Sequence, residues 1–472
     1  MRTTDPQLSF ADLEFIKQGI RLEPTLKAIA DFLDQHGAIV ERVRRDLARG
    51  LKKPATGRTG LTAPQVLRSM ILMRVKNWDY RELRERIADG YTLRHFTAFN
   101  SQRIPQHDAF NRAVNRLTPR TLQAVNAAVI RAAVTLGLED GTKLRVDTTV
   151  VQTDIHHPTD NTLLWDSVRV LTRLVQKLAA VLPAGVGPFR NRSRSARRRM
   201  QEIQRMTARE RHRRQVRTYR ALITVTEHVV AEARAVVTRT VRVRGLDPLT
   251  HVKVDALRSE IARHCELGDR VISQTRRRVL QGEQVPTAEK LYSIFETHTD
   301  LIKRGKVLTP VEFGHKVFLA ESGHGLITQY RVLEGNPADQ EHVKGSLDRH
   351  KAIFDAAPDL YSSDRGFFNE ENLQTCHTAG VTLPCIPQSG GTRSPEREAL
   401  EKSRAFKRGQ RFRVGIEGRI SVLFRGRGMK RALVEGLEHF ELFVGAAVLA
   451  NNLMVIAALL RRKAARRRRP AA

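Results

Sequence analysis

The chain has 472 residues but only three cysteines, Cys265, Cys376 and Cys385, and no CxxC pair. That excludes a disulfide framework and a thiolate zinc site of ordinary spacing. Cys376, His377 and Cys385 lie close in sequence, yet their spacing does not suit zinc and a fourth ligand is missing. The first residues, MRTTDPQLSFADLEF, lack the apolar stretch of a signal peptide. One long apolar run, from Phe440 to Leu460, contains Glu441, Asn451 and Asn452, which favours a buried core helix over a membrane span. These absences predict a reducing, cytoplasmic protein without a membrane span.

Acid is also scarce. Fifty acidic residues face 82 lysines and arginines, a net charge of +32, and a surface that positive is matched most simply by a polyanion. Ribosomal and membrane-surface proteins share such charge, but they are usually shorter or carry a basic amphipathic helix with a lipid-facing edge, which this chain lacks. A hydrophobic content of 41% over this length supports two or three units around at least one sizeable core.

Five regions are expected. Residues 1–60 form an N-terminal helical arm. Residues 61–140 form a helical domain, with helix starts at Thr62-Ala63-Pro64 and Thr118-Pro119 and turns at Asn77-Trp78-Asp79, Asp89-Gly90 and Ile104-Pro105. Such short helices suit a helix-turn-helix DNA reader, with Arg94 and Arg103 as contacts, although a plain helical bundle has the same pattern. Residues 166–300 are a helical insertion with an apolar stripe at Leu222, Val225, Val229 and Val236. Its arginine-crowded stretch from Arg190 to Arg220, including Arg197, Arg198 and Arg199, is nearly all one sign and suits phosphate contact, though a solvated face reads similarly. Residues 461–472 are a basic tail.

The remaining segments, 141–165 and 301–460, read as a mixed α/β core. Lys143 to Val151 is a β-branched strand with Leu144, Val146 and Val150 on one face and Asp147 on the other. A hairpin follows over Lys316–Ala320 and Leu326–Leu333, then a helix over 338–354 and a strand over 360–364 ending at Asp364. A helix over 370–379, a strand over 381–386, a polar loop over 388–407 and helices over 411–423 and 433–460 complete the order, which is that of an RNase H-like core. Asp147, Asp364 and Glu417 fall where adjacent strands and a crossing helix can bring them together. Three close carboxylates repel unless cations neutralise them, and hard oxygen donors favour magnesium or manganese. Two such ions about 3.5–4 Å apart can clamp a phosphodiester. Bland alternatives stay open. Asp147 could be a surface residue, and Asp364 before Arg365-Gly366 a turn residue. Glu417, with Val414 and Ile420 as same-face neighbours, should point inward and could simply pair with Arg413.

The same residues resemble the DDE transposases of bacterial insertion sequences, in particular the ISNCY-type group. The resemblance is carried by Val146-Asp-Thr-Thr-Val150, His157-Pro-Thr-Asp-Asn161 with Leu164, Gly305-Lys306, Pro310 to Val317, Glu334-Gly-Asn-Pro-Ala-Asp339, Ser363-Asp-Arg-Gly-Phe367 and Gly415-Ile-Glu-Gly-Arg-Ile-Ser421. It implies an RNase H-like catalytic core, an N-terminal domain that binds transposon ends, divalent metal on Asp147, Asp364 and Glu417, and strand cleavage followed by strand transfer. Related enzymes carry a Tyr-Arg-Glu-Lys signature on the last helix. Here Arg413 and Glu417 keep the arginine-glutamate spacing, Gln410 holds the tyrosine position, and Phe424 with Arg425 stands at the lysine position. Arg413 is thereby a further candidate DNA contact, and Glu435 and Glu438 are alternative third acids. His315 and Lys316 could meet phosphate, but a structural role is the simpler expectation. The implied partners are double-stranded DNA, as transposon ends and target, and a second copy of the chain. Two other readings remain: a catalytically silent DNA-binding descendant, and an RNase H-like nuclease without strand transfer.

Overall fold

The computed structural model describes residues 10–17, 21–52, 60–182, 185–241, 243, 245–303 and 310–467. Gly305-Lys306 and the end of the basic tail, 468–472, lie outside them, as do parts of the expected N-terminal arm. The chain forms two compact units, one of Met1–Thr153 with Ile302–Ala472, the other of Asp154–Leu301.

The first unit opens with helices α1 (Phe10–Lys17), α2 (Pro24–Gln35), α3 (Gly37–Ala48), α4 (Ala63–Lys76), α5 (Tyr80–Asp89), α6 (Tyr91–Phe96), α7 (His107–Val114) and α8 (Pro119–Thr135). Thr62 and Gln65 form a capping box at the start of α4, and Thr118 caps α8 ahead of Pro119, so both expected starts have their physical cause in place. These helices do not close on themselves. Ile29, Met70, Phe110 and Val129 share one apolar cluster with Leu442, Leu449 and Ile456 near the end of the chain.

The second unit is helical, with α9 (Asp160–Val181), α10 (Ser193–Arg205), α11 (Ala208–Thr240) and α12 (Pro248–Thr275). Leu222, Val229 and Val236 bury their stripe against Val168, Leu171 and Val271. Beyond that core, every arginine from Arg205 to Arg220 is exposed.

The sheet belongs to the first unit, with β2 crossing the division between Leu301 and Ile302. Its strands are β1 (Lys143–Thr153), β2 (Asp300–Lys303), β3 (Val311–Ser322), β4 (Ile327–Val332), β5 (Leu360–Ser362), β6 (Leu383–Cys385) and β7 (Arg431–Ala432). Among the described residues their order is β2-β3-β1-β5-β6, with β4 also beside β3 and β7 beside β1. β3 runs antiparallel to both β1 and β4, whereas β5 is parallel to β1 and β6 to β5. Interleaved with them are α13 (Val343–Phe354), α14 (Glu370–Ala379), α15 (Pro395–Lys402), α16 (Arg404–Gly426) and α17 (Leu437–Arg467). Leu144, Val146 and Phe318 pack toward α13 and α14, while Val151, Val317 and Leu319 pack toward α16 and α17. The chain is therefore a mixed α/β protein, as the order of its elements predicts.

Three expectations change. The segment 388–407 is not a loop throughout: Ser394 caps α15 and Ser403 caps α16, which begins at Arg404. The basic run after Leu460 continues α17 as far as Arg467. Glu417 does not point into packed structure. Val414 is 53% exposed, and the buried face of α16 runs through Phe406, Gly409, Ile416 and Leu423 instead.

Among the described residues, α17 alone is long and apolar enough to cross a membrane, and 78% of its apolar window is buried inside the protein. Asn451 Oδ1 accepts from Arg419 Nη1 at 3.3 Å. Asn452 accepts from Ile327 N at 2.8 Å and donates to Ile327 O at 2.8 Å and to Asn126 Oδ1 at 2.8 Å, so it clips the start of β4 to α8 and α17.

Candidate active site

β1 outruns its parallel neighbour. β5 pairs only with Lys143, Leu144 and Arg145, and β7 joins β1 again at Gln152. Between those points the β1 edge borders a crevice of about 720 Å³, at the carboxyl end of β5, where the sheet changes from antiparallel to parallel. Open α/β sheets commonly bind ligands in a crevice outside the carboxyl ends of their strands.

Each sequence-predicted acid reaches this crevice from a different element. Asp147 projects from β1 with its side chain 14% exposed, and its Oδ1 accepts from Thr148 N at 2.8 Å. Asp364 follows β5 directly and caps the short turn Arg365–Phe367, accepting from Gly366 N at 2.9 Å. Glu417 comes from α16 and sits at the rim, 60% exposed. What brings the three together is Arg413, one turn earlier on α16. Its Nη2 lies 3.7 Å from Asp147 Oδ2 and 3.9 Å from Asp364 Oδ2, and its Nη1 lies 2.9 Å from Glu417 Oε1. The alternative acids Glu435 and Glu438 are exposed and do not line the crevice.

Burial, and after it the charge of Asp364, push the Asp147 carboxyl up to about 6. Asp364 is also raised, by burial first and by the nearby charge of Asp339 next. Asp339 is a fourth carboxylate, absent from the sequence-predicted set although it closes the segment Glu334–Asp339. Its Oδ1 receives Thr148 Oγ1 at 2.9 Å and lies 2.7 Å from Lys316 Nζ. Lys316 thus faces the crevice, while His315, its neighbour on the strand, turns the other way and stacks edge-on against Phe440.

α16 is pinned to the sheet at several points. Gln410 Nε2 donates to Ser363 O at 3.2 Å and Cys385 O at 2.6 Å, tying the helix to the ends of β5 and β6. Gly415 lets the helix lie on Arg145, because a Cβ there would overlap the Arg145 guanidinium.

No family model, curated protein or solved structure matches this chain. Its function is therefore read from the geometry of the crevice.

The expected DNA contacts divide. Arg94 is taken up internally: its guanidinium donates to Asn100 O at 2.8 Å, Gln102 O at 2.8 Å and Ala88 O at 3.2 Å, which closes the turn after α6. Those three bonds give Arg94 a structural role in this turn. Arg103, Arg197 and Arg198 are exposed, and Arg199 is half-buried, donating to Ser195 O at 3.1 Å.

Among the described residues, the metal-capable side chains whose ligand atoms all lie within 4.8 Å of one another are Glu139, Asp140 and His324, outside the crevice. Glu139 is fully buried and already accepts from Asp140 N at 3.1 Å, Gly141 N at 3.3 Å, Ser322 Oγ at 2.5 Å and His324 N at 3.1 Å. Those bonds brace the turn before β1 against the β3–β4 hairpin. Cys376 and Cys385 are buried thiols, each pushed up to about 12 by desolvation, while His377 is exposed. They form no ligand set.

Proposed function

We propose that this chain is a DDE-type DNA transposase with an RNase H-like catalytic core, acting by metal-dependent strand cleavage and strand transfer. The observation that carries the reading is the convergence of Asp147, Asp364 and Glu417 within 3.9 Å of the Arg413 guanidinium. The strand arrangement supports it: three antiparallel strands β4-β3-β1 continue into two parallel ones, β5 and β6, and the acids sit where that change occurs.

The donor set fits a hard divalent cation. It offers carboxylate oxygens from three elements, and Asp147 and Asp364 are both raised, by burial first and by a neighbouring carboxylate after it, a penalty that a bound cation would relieve. Magnesium or manganese, the ions best matched to oxygen ligands, would supply positive charge against the developing charge at phosphorus. Asp147, Asp364 and Glu417 would hold it. Arg413 orients those acids, and its planar fork suits a phosphate oxygen as well as a carboxylate. Lys316, Arg425 and Lys430 line the same crevice and suit the backbone of bound DNA. The exposed arginines of α10 and α11 offer a second phosphate-binding face on the other unit.

The test is cleavage of labelled DNA carrying candidate terminal repeats, with Mg²⁺ or chelator, by the wild type and by Asp147→Asn, Asp364→Asn and Glu417→Gln. Metal-dependent cutting at the element boundary, lost in all three variants while DNA binding survives, is the expected result. Cutting without joining would favour a nuclease. Binding without cutting would favour a silent descendant.

A further inference from the structure

A centre of three acids leaves Asp339 without a task. Its two oxygens are not equivalent. Oδ1 is saturated by Thr148 Oγ1 at 2.9 Å and Lys316 Nζ at 2.7 Å, and Lys316, itself buried, is held in turn by Pro337 O at 2.8 Å. Thr148 follows Asp147 on β1, so these bonds register Asp339 against the strand that carries the first acid. Oδ2 lies beside Gly366. A Cβ built on Gly366 would lie 3.1 Å from Asp339 Oδ2 and 3.1 Å from Asp364 Oδ1, so the two oxygens flank one small space that only glycine leaves open.

A carboxylate oriented through one oxygen presents the lone pairs of the other in a fixed direction, the arrangement by which outer hydrogen bonds aim a metal ligand. We propose that Asp339 is a fourth acid of the centre, binding a divalent cation through Oδ2 beside Asp364. The inference rests on the crevice being a metal site, as the proposed function requires, and extends it by one ligand.

Mn²⁺ binding to the full-length chain, followed by calorimetry and by electron paramagnetic resonance, tests it without reference to DNA cleavage. Asp339→Asn keeps the side-chain volume and an acceptor for Thr148 and Lys316 but loses the anionic Oδ2. Its Mn²⁺ affinity should fall about tenfold or more, as should that of Asp364→Asn, with far-UV circular dichroism unchanged. Gly366→Ala, which sets a methyl between the two oxygens, should weaken Mn²⁺ similarly and serves if Asp339→Asn does not fold. Wild-type affinity in both variants, with weakened binding in Asp364→Asn, would reduce Asp339 to a counter-ion for Lys316 and leave the three-acid centre standing. A wild type that binds no Mn²⁺ would overturn the centre and this inference together.

Discussion

Glu321, fully buried in β3, holds Arg145 of β1 through Nη2 at 2.7 Å and Nε at 2.8 Å, and on its other oxygen it takes Arg419 of α16 at 2.8 Å. Arg145 stands two residues before Asp147, and Arg419 two residues after Glu417. This buried Arg-Glu-Arg set therefore fixes the distance between the strand and the helix that carry two of the three acids.

Breaking such a set is costly, because the two arginines are left as largely buried charges without a counter-ion. Glu321→Gln should destabilise the chain by about 3–5 kcal/mol, measured by urea denaturation. Gly415→Ala acts on the same pairing from the helix side, through overlap with Arg145, and should cost about 1–3 kcal/mol. Both variants should lose DNA cleavage more than DNA affinity. Wild-type stability in Glu321→Gln would show that the set contributes no rigidity.

Asp147 should oppose folding at neutral pH. Its carboxyl is raised to about 6 in the fold from an ordinary value of 3.8, so the folded state binds more protons between those pH values. Its stabilising contribution is complete below about pH 4 and is lost as pH rises through about 6. Asp147→Asn should therefore exceed the wild type in stability by on the order of 1–3 kcal/mol at pH 7.5 and match it near pH 4. Millimolar Mg²⁺ should raise the melting temperature of the wild type but not of the variant. Equal melting curves at pH 7.5 without metal would show that burial and the nearby Asp364 do not raise the Asp147 carboxyl.

Arg94 and Arg103 should separate stability from binding. Arg94→Ala strips the donors from three backbone carbonyls and should cost about 1–3 kcal/mol by thermal unfolding. Arg103→Ala, at an exposed position, should leave the melting temperature within a degree or two of the wild type. If the exposed arginines meet phosphate, replacing both Arg197 and Arg198 by Gln should flatten the slope of log affinity against log salt by about 0.9 for each phosphate no longer neutralised. An unchanged slope would remove α10 from the DNA interface.

Much of this molecule is legible locally. The caps at Thr62 and Thr118, the two faces of β1, the helix over 370–379 and the buried character of α17 follow from capping chemistry and periodicity, whose energies depend on neighbours within a few residues. The caps Ser394 and Ser403 are equally readable signals of α15 and α16, hidden by a polar composition that reflects exposure rather than a loop. The tertiary structure decided the rest. Which stripe of α16 is buried depends on Glu321 and Arg145, and it placed Glu417 at a rim rather than inside. Asp339 joined the site because Thr148 and Lys316, far from it in sequence, converge on its carboxylate. The crevice itself exists because β5 ends at Ser362 while β1 continues to Thr153, a mismatch of strand lengths that no local pattern encodes.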